Sequence, residues 1–457
     1  MSQDVIVIGA GQAGVPLARR LAASGKQVLL VERAELGGTC VNTGCTPTKT
    51  MIASARAAHV ARTATRLGVR AGPVTVDFPA VVARKDAVVE RWRKGLRTGL
   101  EAAGVRVVRG HARFAGERTV EVGGARETAE LVVVNAGARP VVPAVPGLDG
   151  VAWLDNRRVM ELRELPAHLV VLGGGYIGCE LGQAFRRYGS QVTIVDHNPH
   201  LLPREDEDVS AALEGAFRAE GIALELSAEV EGVEGAPRGA PGVRLRLRGG
   251  REVRGSHLLV ATGRRANTDD LGCEAAGIAL DSRGFIRVDD RYRTSAPGVY
   301  AVGDVTGGPQ FTHSSWDDHR LLLDLLAGRS ERGRSSRLVP YAVFTDPQVA
   351  GVGLSEKEAR ARGVAHEVAT MPFGHVARAI EIDETAGTMK VLVDPATERI
   401  LGAFLVGAEA GELIHVFAAL MRAGAPARVV AEAEFVHPTF AEGLQTLVMR
   451  LPRYALG

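Results

Sequence analysis

The chain has 457 residues, more than one compact core usually holds, so two or three domains are expected. It is 46% hydrophobic and 24% charged with a formal net charge of +2, and no basic block indicates a nucleic-acid partner. There is no apolar run of the ~18–20 residues that span a membrane, no signal peptide is recognised, and only four cysteines occur, so we expect a cytoplasmic protein with no membrane partner.

The first predicted unit is a strand over residues 4–9, a glycine-rich turn, a helix over 15–24 and a second strand over 26–31 that ends at Glu32. Glycines permit close approach of the backbone to a pyrophosphate, which a helix N-terminus attracts. The carboxylate of Glu32 would accept hydrogen bonds from a ribose diol. The predicted cofactor contacts in the turn are Gly9, Gly11 and Gly14.

Cys40 and Cys45 follow, five residues apart. In a regular helix that separation is ~8 Å between Cα atoms, beyond the ~4.4–6.8 Å that a disulfide tolerates. If they pair, the start of this segment must be distorted, and Gly44 makes this easier. Two buried thiols or half of a zinc site are the alternatives, and zinc lacks a second cysteine pair and a nearby histidine. Cys179 and Cys273 are interpreted as small core or partly buried residues.

A second unit repeats the first, with a strand over 169–172, a glycine-rich turn, a helix to Tyr188 and a strand over 191–195 that ends at Asp196. The first glycine precedes the acidic residue by 23 positions in both copies, so coincidence is a poor explanation. The chain therefore contains two dinucleotide sites. The predicted contacts in the second turn are Gly173, Gly175 and Gly178.

Asp196 bears on the choice of nicotinamide cofactor. A carboxylate at this position repels a 2′-phosphate and favours NADH. His197 and Arg204 lie close in sequence and keep NADPH as the alternative.

Three shorter segments fit the same plan, each a strand followed by a turn of small residues: 132–139, 258–265 and 294–304. Each pattern is common by itself, and it is the order of the three segments along the chain that indicates the same plan. The candidate cofactor contacts in these turns are Ala136, Gly137, Gly263, Gly303 and Asp304.

The motifs GAGQAG, GGTCVNTGCTPTK, GGGYIG, ATGRRAN, YAVGD and HPTFAE closely resemble those of the pyridine nucleotide-disulfide oxidoreductases. That family includes dihydrolipoamide dehydrogenase, glutathione reductase and mercuric reductase. The resemblance implies an α/β fold with two Rossmann-like domains, which bind FAD and NAD(P), and a C-terminal α+β dimerisation domain. The implied divisions are FAD-binding residues 1–147 and 265–334, NAD(P)-binding residues 148–264 and dimerisation residues 335–457.

The same resemblance implies roles at the redox centre. Cys45 would face the flavin, and Cys40 would attack the substrate as the interchange thiol. Lys49 would pair with Glu180 beside the flavin, and Tyr176 would cover the nicotinamide pocket. The remaining implied FAD contacts are Gly38, Thr39, Lys49, Glu32 at the adenosine ribose and Asp304 at the ribitol.

His437 and Glu442 resemble the dyad of the family in which histidine moves the proton of the interchange thiol and glutamate orients it. Thr439 and Glu442 also form the pattern of a capping box, and both interpretations can hold together. In the family this dyad reaches the active site of the opposite subunit. The resemblance therefore implies a homodimer with two shared active sites.

His313 and His319 flank residues 316–318 and could be drawn as a metal cluster. Family members use this stretch as a helix beneath the flavin, so we predict no metal site.

The sequence says less about the substrate that accepts the electrons. No cysteine follows Cys273, whereas mercuric reductases carry a cysteine pair near the C-terminus. Segments 311–320 and 339–347 resemble a mercuric-reductase-like branch that includes a flavoprotein of reactive-chlorine resistance. The leading hypothesis is an NAD(P)H-dependent reductase of a small disulfide or other thiol-reactive oxidant. The alternatives are a reductase of Hg²⁺ or Cu²⁺ and a dihydrolipoamide dehydrogenase subunit of a 2-oxo-acid dehydrogenase complex.

Overall fold

A computed structural model describes residues 2–235 and 242–454. The strands of this part of the chain are, in order, β1 (Ser2–Ile8), β2 (Val28–Glu32), β3 (Arg106–Arg109), β4 (Ala112–Gly116), β5 (Thr119–Val122), β6 (Ala125–Val134), β7 (Ala138–Pro140), β8 (Trp153–Leu154), β9 (His168–Leu172), β10 (Gln191–Val195), β11 (Ala223–Glu225), β12 (Val230–Gly235), β13 (Val243–Leu247), β14 (Glu252–Gly255), β15 (His257–Val260), β16 (Arg264–Ala266), β17 (Val299–Ala301), β18 (Tyr341–Val343), β19 (Gln348–Gly353), β20 (Glu367–Pro372), β21 (Thr388–Val393) and β22 (Ile400–Gly407).

The α-helices of the described residues are α1 (Gly14–Ala23), α2 (Gly38–Thr43), α3 (Cys45–Thr63), α4 (Phe78–Ala102), α5 (Tyr176–Tyr188), α6 (Glu207–Ala219), α7 (Thr312–Leu326), α8 (Glu356–Ala361), α9 (Ala377–Glu381), α10 (Ala410–Ala423), α11 (Arg428–Ala431) and α12 (Glu442–Val448). None of these helices is both long enough and apolar enough to cross a bilayer. The mixed α/β architecture confirms the fold class predicted from the sequence. The division into four sequence segments with named domain roles stays a prediction.

The chain forms two compact units. The first contains the residues up to Thr50 together with Ala80–Val141 and Gly263–Arg337, and the second contains Met51–Pro79, Val142–Thr262 and the residues from Leu338 onward.

The first unit is built on a seven-stranded sheet in the order β3-β2-β1-β6-β5-β4, with β17 added to β6. The strands β3, β2, β1, β6 and β17 run parallel to one another, whereas β5 pairs antiparallel with β6. The end of β1 at Ile8 is level with Val31 and Val134. Ala301, which ends β17, is also level with Val134. Because parallel strands end at one edge, this register gathers the first glycine-rich turn and the turn after β17 there.

The second unit contains a five-stranded parallel sheet in the order β11-β10-β9-β15-β8. Leu172, at the end of β9, is level with Val195 and Val260, so the second glycine-rich turn lies at the carboxyl edge of that sheet. The unit also holds an antiparallel three-stranded sheet, β12-β13-β14, and an antiparallel five-stranded sheet, β18-β19-β22-β21-β20. The apolar runs of β9 and β10 are buried, as strands covered on both faces require.

A buried lysine and three carboxylates form an ionic cluster in the second unit. The Nζ of Lys390, whose side chain is 3% exposed, lies 2.7–3.1 Å from carboxylate oxygens of Asp206, Asp208 and Glu356. Lys390→Met removes the cation and leaves the carboxylates, so we expect a loss of about 3–5 kcal/mol in the free energy of unfolding. Urea unfolding measures this loss. Lys26→Met, at an exposed lysine, is the control and should change stability by less than about 0.5 kcal/mol. Equal effects of the two substitutions would contradict the assignment.

Glu205 is buried next to this cluster and accepts a hydrogen bond from the Tyr341 hydroxyl. Burial raises the pKa of Glu205 from 4.5 to about 7. Between pH 4.5 and about pH 7 the folded protein holds a proton that the unfolded chain has released. The free energy of unfolding therefore falls as the pH rises through this range, by about 3 kcal/mol in total. Glu205→Gln cannot ionise, and its stability relative to the wild type should therefore rise by that amount between pH 5 and pH 8. Unfolding curves at both pH values test this, and an unchanged difference would refute it.

Candidate active site

The glycine-rich turn between β1 and α1 leaves no space for side chains at its three glycines. A Cβ on Gly9, whose φ is 103°, would lie 2.2 Å from the carbonyl oxygen of Asn135. A Cβ on Gly14 would lie 2.0 Å from the carbonyl oxygen of Gly9, and one on Gly11 would lie 2.8 Å from Asn135 Oδ1. These distances explain the glycine pattern, because the turn packs its backbone directly against the end of β6. A pyrophosphate could approach such a turn closely.

Glu32, at the end of β2, is held beside this turn by the backbone. Its Oε2 accepts a hydrogen bond from the Ala10 N–H at 2.8 Å, and its Oε1 accepts one from the Ala34 N–H at 2.8 Å. The carboxylate is thereby fixed at the carboxyl edge of the sheet. Each carboxylate oxygen can accept more than one hydrogen bond, so capacity for a ribose diol remains.

Asn135 connects the first turn to a distant strand, and the sequence analysis did not select it. Its Oδ1 accepts a hydrogen bond from the Gly14 N–H at 3.0 Å, and its Nδ2 donates to the Val302 carbonyl at 3.1 Å. The side chain is buried, so both groups must be satisfied inside the protein. The signal available in the sequence was an amide at the end of a run of valines.

Asp304 follows β17 and pairs with Arg264, whose Nη2 lies 3.3 Å from Asp304 Oδ2. Burial raises the pKa of Asp304, and the guanidinium of Arg264 opposes this rise. Among the described residues the buried Nε of Arg264 has no hydrogen-bond partner. A buried carboxylate and a guanidinium with one unsatisfied nitrogen, at the edge that carries the Gly9 turn, fit a polar dinucleotide, and we conclude that this edge suits FAD.

Asp318 on α7 fixes the turn that carries Asp304, and it too was missed as a functional residue. Its Oδ2 accepts a hydrogen bond from the Gly303 N–H at 2.6 Å, and its Oδ1 accepts one from the Tyr292 hydroxyl at 2.8 Å. Arg337 forms an ion pair with the same carboxylate. The other predicted contacts here, Ala136, Gly137 and Gly263, lie in the turns after β6 and β15.

The second glycine-rich turn, between β9 and α5, repeats the packing of the first. A Cβ on Gly173, whose φ is 116°, would lie 2.6 Å from the carbonyl oxygen of Ala261, and one on Gly178 would lie 2.0 Å from the carbonyl oxygen of Gly173. Gly175 is the N-cap of α5, and Tyr176 is the first residue of the helix. The turn therefore suits a second dinucleotide.

Asp196, at the end of β10, is held by two backbone N–H groups, as Glu32 is. Its Oδ2 accepts a hydrogen bond from the Gly174 N–H at 2.5 Å, and its Oδ1 accepts one from the Asn198 N–H at 2.7 Å. The imidazole of His197 is 80% exposed and lies 3.5 Å from Asp196 Oδ1. The acid thus stands where the ribose of a nucleotide on the second turn would reach it.

Cys40 and Cys45 lie on two helices separated by a single residue. Cys40 belongs to α2 and Cys45 begins α3, and Gly44 between them has φ −132° and ψ −120°, which is not helical. A Cβ on Gly44 would lie 2.9 Å from the carbonyl oxygen of Thr39. The distortion expected for a cysteine pair with this spacing is therefore present, at the glycine that permits it.

Neither cysteine is bonded to another cysteine in this structure. A hydrogen bond with Cys45 and burial raise the pKa of Cys40, whereas Thr312 and the charge of Lys49 lower it. Two thiols that share one hydrogen bond can lose two protons and two electrons to become a disulfide without large movement. The spacing and contact of the pair suit redox chemistry.

The helix that carries Cys40 begins against the first glycine-rich turn. A Cβ on Gly38, whose φ is 60°, would lie 2.9 Å from the Cα of Gly11. The adjacent Thr39 hydroxyl lies 3.5 Å from Arg264 Nη2. The structure thus brings the predicted FAD contacts Gly38 and Thr39 together with the turn, and it places the cysteine pair beside the same sheet edge.

Lys49 lies on α3, one turn after Cys45, in the first unit. Glu180 is buried on α5 in the second unit, where its Oε1 accepts a hydrogen bond from the Phe344 N–H at 2.8 Å. The pairing of Lys49 with Glu180 stays a prediction.

His437 and Glu442 form a contact within the second unit. The Nδ1 of His437 lies 3.0 Å from Glu442 Oε2, and the imidazole is 72% exposed. The Glu442 N–H donates to the Thr439 hydroxyl at 3.3 Å, so one half of the capping box is present while the carboxylate binds His437. Helix α12 begins at Glu442 rather than at Thr439. The dyad geometry agrees with the sequence pattern, and its catalytic role stays a prediction.

The histidines near α7 have other surroundings. His319 is buried against Trp316, and burial lowers its pKa to about 4. His313 stacks on Phe311. No group of three or more candidate metal ligands occurs among the described residues.

Two dinucleotide turns, each with its acidic residue, and a cysteine pair beside the first turn define an NAD(P)H-dependent flavoprotein disulfide oxidoreductase. The chain belongs to the pyridine nucleotide-disulphide oxidoreductase family, whose model matches residues 3–318, and the dimerisation domain of that family matches residues 339–448. Members of the family use FAD and a pyridine nucleotide and are dimeric. The family resemblance inferred from the motifs is confirmed.

Several characterised relatives align over nearly the whole chain. A dihydrolipoyl dehydrogenase of Thermus scotoductus is 37% identical over 99% of this chain and 98% of its own length. A mercuric reductase of Streptomyces lividans is 36% identical over 97% of this chain and 94% of its own. The structure of the Cu(II) complex of the HOCl-induced flavoprotein disulfide reductase RclA from Escherichia coli superposes with a TM-score of 0.90 at 35% identity, covering 98% of this chain and 99% of that one.

Proposed function

We propose that this chain uses NAD(P)H to reduce a small disulfide or another thiol-reactive oxidant at Cys40 and Cys45. The observation that carries the proposal is the cysteine pair itself, two hydrogen-bonded thiols on either side of a break at Gly44. Gly38 of the same segment packs on the first glycine-rich turn. When bound there, FAD supplies the transfer of two electrons between the nicotinamide and the cysteine pair.

The exchange step assigned to the cysteines balances as follows. The Cys40 thiolate attacks one sulfur of the acceptor disulfide, and the other acceptor sulfur leaves as a thiolate that takes a proton. The Cys45 thiolate then attacks the sulfur of Cys40, which forms the Cys40–Cys45 disulfide and expels the second acceptor sulfur as a thiolate that takes a second proton. The acceptor gains two electrons and the cysteine pair loses two. Cys45 is assigned the flavin side and Cys40 the substrate side.

Transfer of the proton to and from Cys40 is assigned to His437, and Glu442 orients the imidazole. The 3.0 Å contact between His437 Nδ1 and the carboxylate leaves Nε2 to exchange a proton with Cys40. We propose that this histidine serves the active site of the partner subunit in a homodimer, which fits its high exposure in a single chain.

NADH is the proposed electron donor. Asp196 presents a carboxylate where a 2′-phosphate of NADPH would lie, which costs NADPH affinity. Anaerobic titration with each cofactor tests this, and we expect reduction by NADH at the lower concentration. Preferential reduction by NADPH would overturn the assignment.

Reduction of a metal ion is the second candidate. It is favoured by the similarity to a mercuric reductase and to the Cu(II) complex of RclA. A screen of disulfides, Hg²⁺ and Cu²⁺ with NADH as donor separates the two functions. A dihydrolipoamide dehydrogenase subunit would instead reduce NAD⁺ with dihydrolipoamide and co-purify with an acyltransferase.

A further inference from the structure

A threonine hydroxyl from a third helix contacts the cysteine pair. The Oγ1 of Thr312, the first residue of α7, lies 3.2 Å from the Sγ of Cys45, and either atom can be the donor. The Thr312 hydroxyl also lowers the pKa of Cys40. One hydroxyl thus contacts the sulfur of Cys45 and acts on the thiol of Cys40, although 267 residues separate it from Cys45 in the chain.

The position of Thr312 argues against a purely structural explanation. Threonine often stands at the N-cap, where its hydroxyl bonds to the backbone of its own helix. The N-cap of α7 is Phe311, so Thr312 lies one position inside the helix and its hydroxyl meets sulfur instead.

A hydroxyl has one proton to donate and two lone pairs that accept. Beside two thiols, it can accept from a neutral thiol and donate to a thiolate at the same time. When one cysteine of the pair ionises, the hydroxyl stabilises that thiolate by donation, and the other thiol keeps a hydrogen bond. The hydroxyl can reverse these roles by rotation about a single bond, because it contacts the sulfur of Cys45 and lowers the pKa of the neighbouring Cys40.

Two helix N-termini add to this effect. Cys45 is the first residue of α3, which has 19 residues, and Thr312 is the first residue of α7, which has 15. The positive end of a helix favours an anionic sulfur within its first turn. Lys49 acts on Cys40 in the same direction.

We propose that Thr312 is a catalytic residue that donates its hydroxyl proton in a hydrogen bond to whichever of Cys45 and Cys40 carries the thiolate. The inference rests on the proposed function of the cysteine pair. In this role the Thr312 hydroxyl stabilises the thiolate on each of the two sulfurs in turn during exchange.

The test compares the FAD-loaded enzyme with Thr312→Val, which removes the hydroxyl at constant shape, and Thr312→Ser, which keeps it. Thr50→Val is the matched control, because Thr50 lies on the same helix as Cys45 and its hydroxyl bonds to the Thr46 carbonyl. Each protein is reduced with dithiothreitol and alkylated with iodoacetamide over a pH series, and mass spectrometry reports each cysteine separately.

A hydrogen bond to a charged group contributes enough to shift a pKa by about one to two units. We therefore expect Thr312→Val to raise the pKa of alkylation by about that much and to slow alkylation at neutral pH about 10- to 100-fold. Thr312→Ser and Thr50→Val should follow the wild type. Coincident profiles for Thr312→Val and the wild type would overturn the role of the hydroxyl.

Failure of the underlying function has a different signature. If the oxidised wild-type enzyme contains no Cys40–Cys45 disulfide, the redox pair is wrong and the inference falls with it. If the wild type forms the disulfide and only the Thr312→Val profile fails to shift, the redox pair stands and the assignment of Thr312 is wrong.

Discussion

Replacing Cys45 by serine is expected to abolish reduction of disulfides, with a loss of at least about 1,000-fold in kcat/KM. Serine preserves the size of the side chain but cannot form the disulfide on which the exchange depends. The serine hydroxyl can still hydrogen-bond to the thiol of Cys40, but the pair can no longer be oxidised to a disulfide and so cannot carry two electrons. Steady-state reduction of a small aromatic disulfide with NADH as donor measures the loss.

The same Cys45→Ser variant should still reduce quinones, because a quinone can take electrons without a thiol. This retained activity shows that the two dinucleotide sites are intact. Cys273→Ala is the control, since Cys273 is a buried thiol within an apolar core cluster and its loss should leave both activities in place. Disulfide reduction at the wild-type rate by Cys45→Ser would show that the cysteine pair is not the route to the acceptor.

The two nucleotide turns were predictable from sequence because each is a local pattern. Glycines, a following helix and an acidic residue at fixed spacing all lie within one βαβ segment. Glycine is required at these positions because a side chain would clash, as a Cβ on Gly14 would with the Gly9 carbonyl oxygen. The cysteine pair was predictable for a related reason. Its spacing demanded a break in the helix, and the break occurs at Gly44.

Residues whose contacts join distant segments were missed. Asn135 binds Gly14 and Val302, which lie 121 and 167 residues away, and no periodicity reports such a bridge. Asp318 stands beside Asp317 in the sequence, yet only Asp318 is buried and holds the Gly303 turn. Lys390 is surrounded by apolar residues in β21, and its three carboxylate partners come from other elements.

The two acidic residues show how one local device serves two sites. Glu32 and Asp196 each accept a hydrogen bond from the N–H of the second residue of a glycine-rich turn. Each also accepts one from the N–H of the residue two positions after itself in the chain. The backbone therefore fixes both carboxylates before any nucleotide binds, which lowers the entropy cost of binding. The difference between the two sites lies in side-chain length and in the exposed His197 beside Asp196.

Replacing His437 by glutamine is expected to reduce disulfide reduction by about 10²–10⁴-fold, the usual contribution of a general acid–base. Glutamine retains hydrogen bonding but cannot carry the proton between Cys40 and the acceptor. Glu442→Gln should have a smaller effect, because the imidazole remains and loses only the 3.0 Å contact that orients it. His415→Gln, at an exposed histidine of α10 in the same unit, is the control and should have the wild-type rate.

The dimeric arrangement of this dyad can be tested with two inactive variants, Cys40→Ser and His437→Gln, produced together with different affinity tags. If each active site takes its cysteines from one subunit and its histidine from the other, every mixed dimer contains one intact site. Random pairing makes half of the dimers mixed, so the mixture should recover about a quarter of the wild-type activity. If cysteines and histidine of one chain serve the same site, each mixed dimer has two damaged sites and activity stays at the level of the single variants. That result would contradict the shared active site.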